Sequence, residues 1–591
     1  MTDSPVPVSV ITAKDLSNAS VTSLDEALQK LTPSFSSMTN GMGTTLSLNG
    51  LPDDYFIFLE NGKRLYGDDT YARINVAKIK RIEILNGASS ALYGTNAIGG
   101  VINIITDDVK NAINVSSDTR YASKGRFTQS VNIDVNTGKF GSYTSYRRQQ
   151  AEGWQLNPYE ENSKTHELEE TGKVASTGFY ANTVNQKFTF DATDKLSFYA
   201  RGGYYDNKTR RPYEAYDYNI LHETFNYGIG AQYMINKGNY ITADCYADHF
   251  SSSYCFFKDN KTYNGKAGEE QVRKRTRNHN LSIKGIFKLG NRHKLSVGTE
   301  YIVDVLKSQT DNIAKEDAYT LALFAQDEIK LLRNLQALIG VRYIYHENFK
   351  NHATPNVALM YKPGKFNFRA SYAAGFRTPT LSELYATDIA KKNDRLTIGN
   401  LDLKPEKNNY FSLSAEYVHE RFSVSVNAFY NNIRDMIDYN TIATGDKAME
   451  QYGHKEVRQR DNIAEAKVHG INVSANAYLG AGFNLSGGYT HLNTQDVELE
   501  QPIDKSIKNA YNINAQWAHS WKIYRLNINL NGRFNSKRFS KSYGYAPEYQ
   551  LWNLNTRHSF NLKSVIIEPG CGMENLSLIH ISEPTRLQLI S

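Results

Sequence analysis

The chain has 591 residues, long enough for several ordinary domains or for one small domain beside a very large one. Its net charge of +7 comes from basic residues spread along the sequence rather than from one Arg/Lys block, which argues against a nucleic-acid binder. Tyr contributes 40 residues and Trp only 4, a usage suited to a boundary where one end of the ring is dry and the other wet.

The cysteines Cys245, Cys255 and Cys571 show no CxxC spacing, so neither a metal site nor a disulfide framework is expected. Cys245 and Cys255 fall on one predicted strand, 240–255. Ten residues of strand span roughly 33 Å, while a disulfide needs Cα atoms within about 7 Å. No window reaches the run of about 18 apolar residues that a membrane helix needs. "MTDSPVPVSV" also lacks the charged-then-apolar order of a signal peptide. On these grounds alone the chain reads as soluble and cytoplasmic. The pattern along it says otherwise.

Residues 5–110 form a first unit. "SVITAKDLSNASVTSLDEALQKLTPSF" reads as a short strand, a polar turn and an amphipathic helix, with Leu24, Ala27, Leu28 and Leu31 as its apolar stripe and Pro33 beyond its end. "YFIFLENGKRL" reads as a hairpin turning at Asn61-Gly62. "VAKIKRIEIL" reads as a helical turn running into a strand. In "RIEILNGASSALYGTNAIGGVINIIT" two strand-like runs flank a segment of small residues. A phosphate cradle there would need GxGxxG or Lys-Ser/Thr spacing, and neither is present. Gly87, Gly94, Gly99 and Gly100 instead permit tight turns in a compact domain, with Tyr93 as a packing anchor.

From about residue 112 one theme repeats: segments of roughly ten residues alternate apolar with polar. In "KLSVGTEYIVDV" the residues Leu295, Val297, Tyr301, Val303 and Val305 share one face, and Lys294, Ser296, Glu300 and Asp304 the other. Short turns such as "NTGK", "NKGN" and "GNRH" alternate with long polar segments at 206–222, 257–275, 376–406 and 440–460. This is the rhythm of a transmembrane β-barrel with short turns at one rim and long loops at the other. About 21 strands can be placed between 112 and 572. Since single-chain bacterial barrels close with an even number, the expectation is an all-β membrane protein, an antiparallel barrel of about 22 strands over 111–575 with its last strand missing. The tail "LSLIHISEPTRLQLIS" (576–591) shows no alternation and resembles the translated read-through of a sequencing adapter. It is set aside from fold reasoning.

The colinear order of "PVSVITAKDL", "LDEALQKLTPSF", "LSLNGL", "YFIFLENGKRL" and "RIEILNGASSALYGTNAIGGVINIIT" resembles the plug domain of TonB-dependent outer-membrane receptors. "FAQDEIKL", "YAAGFRTPTLSELY", "GNLDLKPEKNNYFSLSAEY" and "FYNNIRDMI" resemble that family's barrel. The resemblance covers nearly the whole chain apart from the tail. It implies residence in the bacterial outer membrane among lipids and lipopolysaccharide, no catalytic residues, and no bound cofactor. It also implies uptake of a scarce ligand through a plugged lumen, driven by the energy-transducing protein TonB. TonB's docking segment normally lies ten or more residues before "PVSVIT" and is expected to be missing here. An extra N-terminal signalling domain and a surface lipoprotein partner stay open.

Within that frame the ligand is expected to be an iron chelate, a ferric siderophore, with cobalamin or haem as the alternative. The segment 376–402 has no histidine and the first in the chain is His166, which speaks against haem. His222, His346 and His454 read as solvated. Two outer loops suit an anionic aromatic chelate: "NKTRRPYEAYDY" with Arg210, Arg211, Tyr213, Tyr216 and Tyr218, and "QVRKRTRNH" with Arg273, Lys274, Arg275 and Arg277; the competing reading is that these charges bind lipopolysaccharide phosphates or are simply solvated. On the plug, "LYGDDTYAR" is the expected apical loop, with Tyr66, Tyr71 and Arg73 as ligand contacts and "NGMGTT" (Asn40–Thr45) beside it. Arg81 on the plug and Glu416 on the inward face of a barrel strand are the expected lock, with Glu83 as Arg81's competing partner.

Overall fold

The structure is a computed structural model, and it describes residues 4–40, 43–88, 90–106, 112–154, 159–161, 165, 167–170, 176–213, 216–390, 394–542 and 544–576. The tip of the "NGMGTT" segment, His166 and nearly all of the C-terminal tail lie outside them.

The first hundred residues build a compact plug. Strand Val8–Thr12 leads into helix Ala13–Asn18, whose start is closed by a reciprocal pair in which Thr12 and Asp15 each bond the other's backbone N–H. Helix Leu24–Leu31 turns Leu24, Ala27 and Leu28 into a core shared with Phe35, Phe56, Phe58, Ile82 and Ile102. Strands Phe56–Glu60 and Lys63–Arg64 meet at Asn61 and Gly62, both with positive φ (52° and 78°), the backbone that an Asn-Gly turn favours. The five-stranded sheet runs in the order Val8–Thr12, Ile79–Asn86, Gly100–Thr106, Phe56–Glu60, Lys63–Arg64, and only its Phe56–Glu60 and Gly100–Thr106 pair is parallel. A second, three-stranded sheet pairs Phe35–Asn40, Gly43–Leu48 and Leu51–Pro52.

Around the plug a single sheet closes on itself. Among the described residues it has twenty-one strand positions, from Ile113–Ala122 to a last one made of two short pieces, Val565–Ile567 and Gly570–Met573. Glu574 pairs with Arg120 (2.7 Å) and Arg126 (2.6 Å) across the seam. The outward face carries exposed apolar side chains such as Leu281, Leu323, Ile339 and Leu413. In water that band would be an aggregation hazard; in a bilayer it matches its solvent.

The inner face is polar and rich in asparagine. Asn408 and Asn431 bond each other (2.7 Å) and both reach the carbonyl of Ile98 on the plug (3.4 Å each). A neutral amide suits this surface because it offers donor and acceptor without the desolvation cost of a buried charge.

Strands rise well beyond the expected limits. Strands Glu270–Leu289, Phe422–Thr444 and Glu456–Gly480 run 20, 23 and 25 residues, against the segments of roughly ten whose alternation the sequence shows. Alternation marks only the stretch that touches lipid. Above it both faces are wet, the pattern fades, and the backbone ladder continues.

Candidate functional site

The glycine-rich stretch is a packed turn against the barrel. Gly87 takes φ +79°, and a Cβ there would run into the ring of Tyr410 on the wall. Gly100 passes so close to the carbonyl of Leu85 (2.6 Å from a built Cβ) that no side chain fits. Gly94 lies against Arg342 and Gly99 against Leu51. Tyr93 packs with Ile57, Leu59 and Val101, and burial pushes its hydroxyl up to about 12.

The plug is tied to the wall all round. Arg533 of strand Tyr524–Asn535 donates to the carbonyls of Thr32 (3.1 Å) and Phe35 (2.7 Å), and also to Gln29. It thereby gathers the orphan carbonyls at the end of helix Leu24–Leu31. Arg147 holds the carbonyls of Ala72 and Ile74, and Asn75 bonds Asn132 (2.9 Å) and Ser145 (2.7 Å). Lys63 pairs with Asp244, Lys78 with Asp134, and Arg201 with Glu60 at 3.0 Å.

The expected Arg81–Glu416 pair is corrected by the geometry. Arg81 bonds its strand neighbour Glu83 at 2.7 Å, and Glu416, on the inward face as expected, bonds Arg369 at 3.0 Å. Residues two apart on one strand share a face, so the local pair forms without bridging the seam. A different node does bridge it. Arg377, 3% exposed, lies between Glu406 and Glu383 (3.0 Å), while the hydroxyl of plug residue Tyr55 donates to Glu406 at 3.2 Å. Glu406 also accepts the Ile437 N–H (2.9 Å). Arg377, Glu383 and Glu406 stand inside "YAAGFRTPTLSELY" and "GNLDLKPEKNNY"; the motifs are visible in the sequence and the pairing is not.

The long loops rise above the plug and leave a vestibule, with the plug as its floor. There the expected contacts divide. Arg73 is buried and forms a two-pronged pair with Asp248 (2.9 Å to each oxygen), so it serves the seam. Tyr71 packs against Phe58 in the plug core, where burial raises its hydroxyl strongly. Tyr66 turns its ring under Arg64 (5.1 Å) into a polar cavity between plug and wall, also lined by Asn280, Glu300 and Arg342. What remains on the floor is acidic. Asp68 faces Lys274 (3.4 Å), Asp69 faces His222 (2.7 Å), and Asp53 and Asp54 are exposed. His222 is thus a bonded wall residue rather than a solvated one; His454 likewise bonds Asp394 (2.9 Å), and His346 is buried. Although its side chain stays open to water, Asp53 is pushed up to about 6, first by desolvation from the protein packed around it and then by the charge of Asp54.

Further along the strands that carry His222 and its neighbours, the wall bears an aromatic cage. Tyr218 and Tyr254 stack at 4.0 Å, and Tyr263 meets Tyr254 edge-on at 5.2 Å. Arg211 lies over Tyr216 (4.3 Å) and Tyr218 (5.0 Å), and Arg273 over Tyr263 (4.9 Å) and Tyr254 (5.3 Å). Tyr213 stacks on Phe257 (5.3 Å) at the rim under Lys258. Arg211, Tyr216, Tyr218 and Arg273 are therefore brought together, with Tyr254 and Tyr263 as members that sequence reasoning missed. Arg210 and Arg275 do not join them. Arg210 is exposed and donates to the Ala151 carbonyl (3.1 Å), and Arg275 points outward. The cause is a bulge: Ser252 pairs with Lys274 and Ser253 with Val272, so Arg273 is the extra residue and is re-aimed into the vestibule. Period two would have put Arg273 and Arg275 on one face.

A closed barrel, a plug tied across its lumen and a cage of tyrosine and arginine above it define a receptor-type transporter, not an open pore. The chain belongs to the TonB-dependent receptors: residues 125–578 match the family model "TonB dependent receptor-like, beta-barrel" and residues 1–101 the "TonB-dependent Receptor Plug Domain". The family is one of outer-membrane transporters and receptors, not enzymes.

Among solved structures the chain is similar to a ferric enterobactin receptor of Pseudomonas aeruginosa (16% identity, TM-score 0.80, 96% of this chain and 92% of that one). It is also similar to the siderophore receptor PirA of Acinetobacter baumannii (16%, 0.78, 96% and 94%) and the FrpB iron transporter of Neisseria meningitidis (13%, 0.74, 95% and 96%). At these identities the likeness is one of fold.

Proposed function

We propose that the protein imports a ferric siderophore across the bacterial outer membrane, with the iron chelate as cargo rather than resident cofactor. The observation that carries this is the cage: two guanidinium planes on tyrosine faces at the vestibule wall, a surface suited to a planar, anionic, aromatic chelate. Arg211, Arg273, Tyr213, Tyr216, Tyr218, Tyr254 and Tyr263 are the proposed contacts. The outer membrane has no ATP or ion gradient of its own, so uptake against a gradient draws on TonB, which acts on the plug from the periplasmic side. The strands pass repeatedly through a bilayer whose outer leaflet holds lipopolysaccharide. A binding panel tests the ligand. Native mass spectrometry of the receptor in detergent, with ferric enterobactin, haem and cyanocobalamin, is expected to show retention of the ferric catecholate alone. Retention of haem or cobalamin instead overturns the siderophore assignment.

A further inference from the structure

The outward face of the barrel carries a crowded cationic patch beside an apolar hollow. The register places residues of adjacent strands in rows. Arg275 lies opposite Ser251 and Lys307; Arg277 lies opposite His249 and Val305; His279 lies opposite Ala247 and Val303. Arg275, Arg277, His279 and Lys307 are all exposed. Neighbouring strands stand about 4.8 Å apart and residues two along a strand about 7 Å apart, so three permanent cations crowd a patch little more than one residue row high. Like charges at that spacing repel. Among the described residues none of the three has an ion-pair partner. The nearest outward acids are engaged elsewhere: Glu223 accepts from Tyr204 (2.9 Å) and Asp317 pairs with Lys315 (3.2 Å).

The face directly beneath is the second observation. In the next rows down, Ala200 lies opposite Ile229, Ile229 opposite Cys245 and Cys245 opposite Leu281; Ala231 lies opposite Ala243. Small side chains there leave an apolar hollow of about 540 Å³ rimmed by Phe188, Phe190, Phe198 and Leu281. Rings border the level between patch and hollow, with Tyr227 against His249 (5.6 Å) and His249 against His279 (5.2 Å). A cationic row, an aromatic row and an apolar groove follow one another down the wall, and the cationic row stands at the end where the long loops emerge.

We infer that strands Asn239–Phe256, Glu270–Leu289 and His293–Ser308 carry a built site for one phosphorylated lipid of the outer leaflet, lipopolysaccharide. Its lipid A phosphates lie on Arg275, Arg277 and Lys307, and one acyl chain lies in the hollow. Three cations call for more than the single phosphate of an ordinary phospholipid. The inference rests on the outer-membrane placement but not on the identity of the cargo. It also gives Arg275 a role that the vestibule does not.

The test is native mass spectrometry of the full receptor, delipidated in detergent and offered bisphosphorylated lipid A, the same lipid after phosphate removal, phosphatidylglycerol, or inorganic phosphate. The intact protein is expected to retain the bisphosphorylated lipid at least tenfold better than the other three. Arg275→Ala/Arg277→Ala is expected to remove most of that preference. Ala243→Phe, which fills the hollow without touching charge, is expected to weaken both lipid A forms alike. Both variants are first shown to keep the wild-type melting profile; if either loses it, Arg275→Gln/Arg277→Gln and Ala243→Leu take their places. Equal retention of phosphorylated and dephosphorylated lipid, a preference for phosphatidylglycerol, or unchanged retention by the arginine variant would each overturn the site. Ferric enterobactin binding, measured in parallel, fails or succeeds independently.

Discussion

Two arginines of the vestibule wall are put to opposite uses. Arg377 is 3% exposed and lies between two carboxylates, with a plug tyrosine on one of them. Arg273 is half-buried, seated on two tyrosine rings and bonded to the Gln309 amide (2.9 Å), with no carboxylate in ion-pair range among the described residues. In the first the charge is spent inside the protein and fixes barrel to plug. In the second the rings orient the guanidinium without cancelling its charge, so it stays open to an anion. The surroundings of the side chain, not its chemistry, separate fastening from recognition.

The comparison breaks most visibly at the buried node. Arg377→Met leaves Glu406 and Glu383 without their counter-charge. Removing one partner of a buried pair costs about 3–5 kcal/mol. The expected result is plug cleavage by protease at temperatures where the wild type resists, with partial recovery in Arg377→Met/Glu406→Gln. Unchanged protease resistance would show that the node does not hold the plug. Asp248→Asn is the next smaller break. Arg73 keeps the Tyr66 carbonyl but loses a charged acceptor, a loss of about 1.5–3 kcal/mol, read as a lower melting temperature in detergent.

At the cage the effect moves from stability to binding. Arg273→Ala and Arg211→Ala are each expected to weaken ferric enterobactin about tenfold, which is about 1.4 kcal/mol and within the range of a partly desolvated cation–π contact. The melting temperature should stay close to wild type. Arg273→Lys keeps the charge but loses the stacked plane, so it should recover only part of the affinity. Full recovery by lysine would mean that charge alone is read.

Much of the barrel was legible because lipid imposes a period of two on every strand it touches. Leu295 to Val305 could be assigned to one face without coordinates. What escaped depends on the seam between distant segments. Nothing local distinguishes Arg81, which pairs two residues away, from Arg377, whose partner Glu406 lies on the next long strand and meets Tyr55 from the plug. Tyr66, Tyr71 and Arg73 were placed on the right loop, but the loop is folded back onto the wall through Asp248 and Gly67, which packs on Phe250. Sequence alone groups Arg273 with Arg275 because a one-residue bulge leaves no mark in composition, yet the bulge decides which of them faces the vestibule.

The smallest effect tests the acidic floor on which these walls stand. Asp53, raised to about 6 by desolvation and by Asp54, is ionised at pH 7.5 and largely protonated at pH 5.5. Its ionised form would repel the anionic chelate proposed as cargo. A unit charge about 10 Å away in wet surroundings is worth somewhat under 1 kcal/mol. Ferric enterobactin affinity should therefore rise about threefold as pH falls from 7.5 to 5.5. The chelate titrates too, so the reading is the difference between the wild type and Asp53→Asn. The variant should bind more tightly at pH 7.5 and show a flatter profile, with the two converging at pH 5.5. A wild-type profile parallel to that of the variant would mean that Asp53 does not sense the cargo. A fall in affinity on acidification that vanishes in the variant would mean that the floor attracts a cationic group, which turns the recognition scheme over and leaves the cage as an anchor for rings alone.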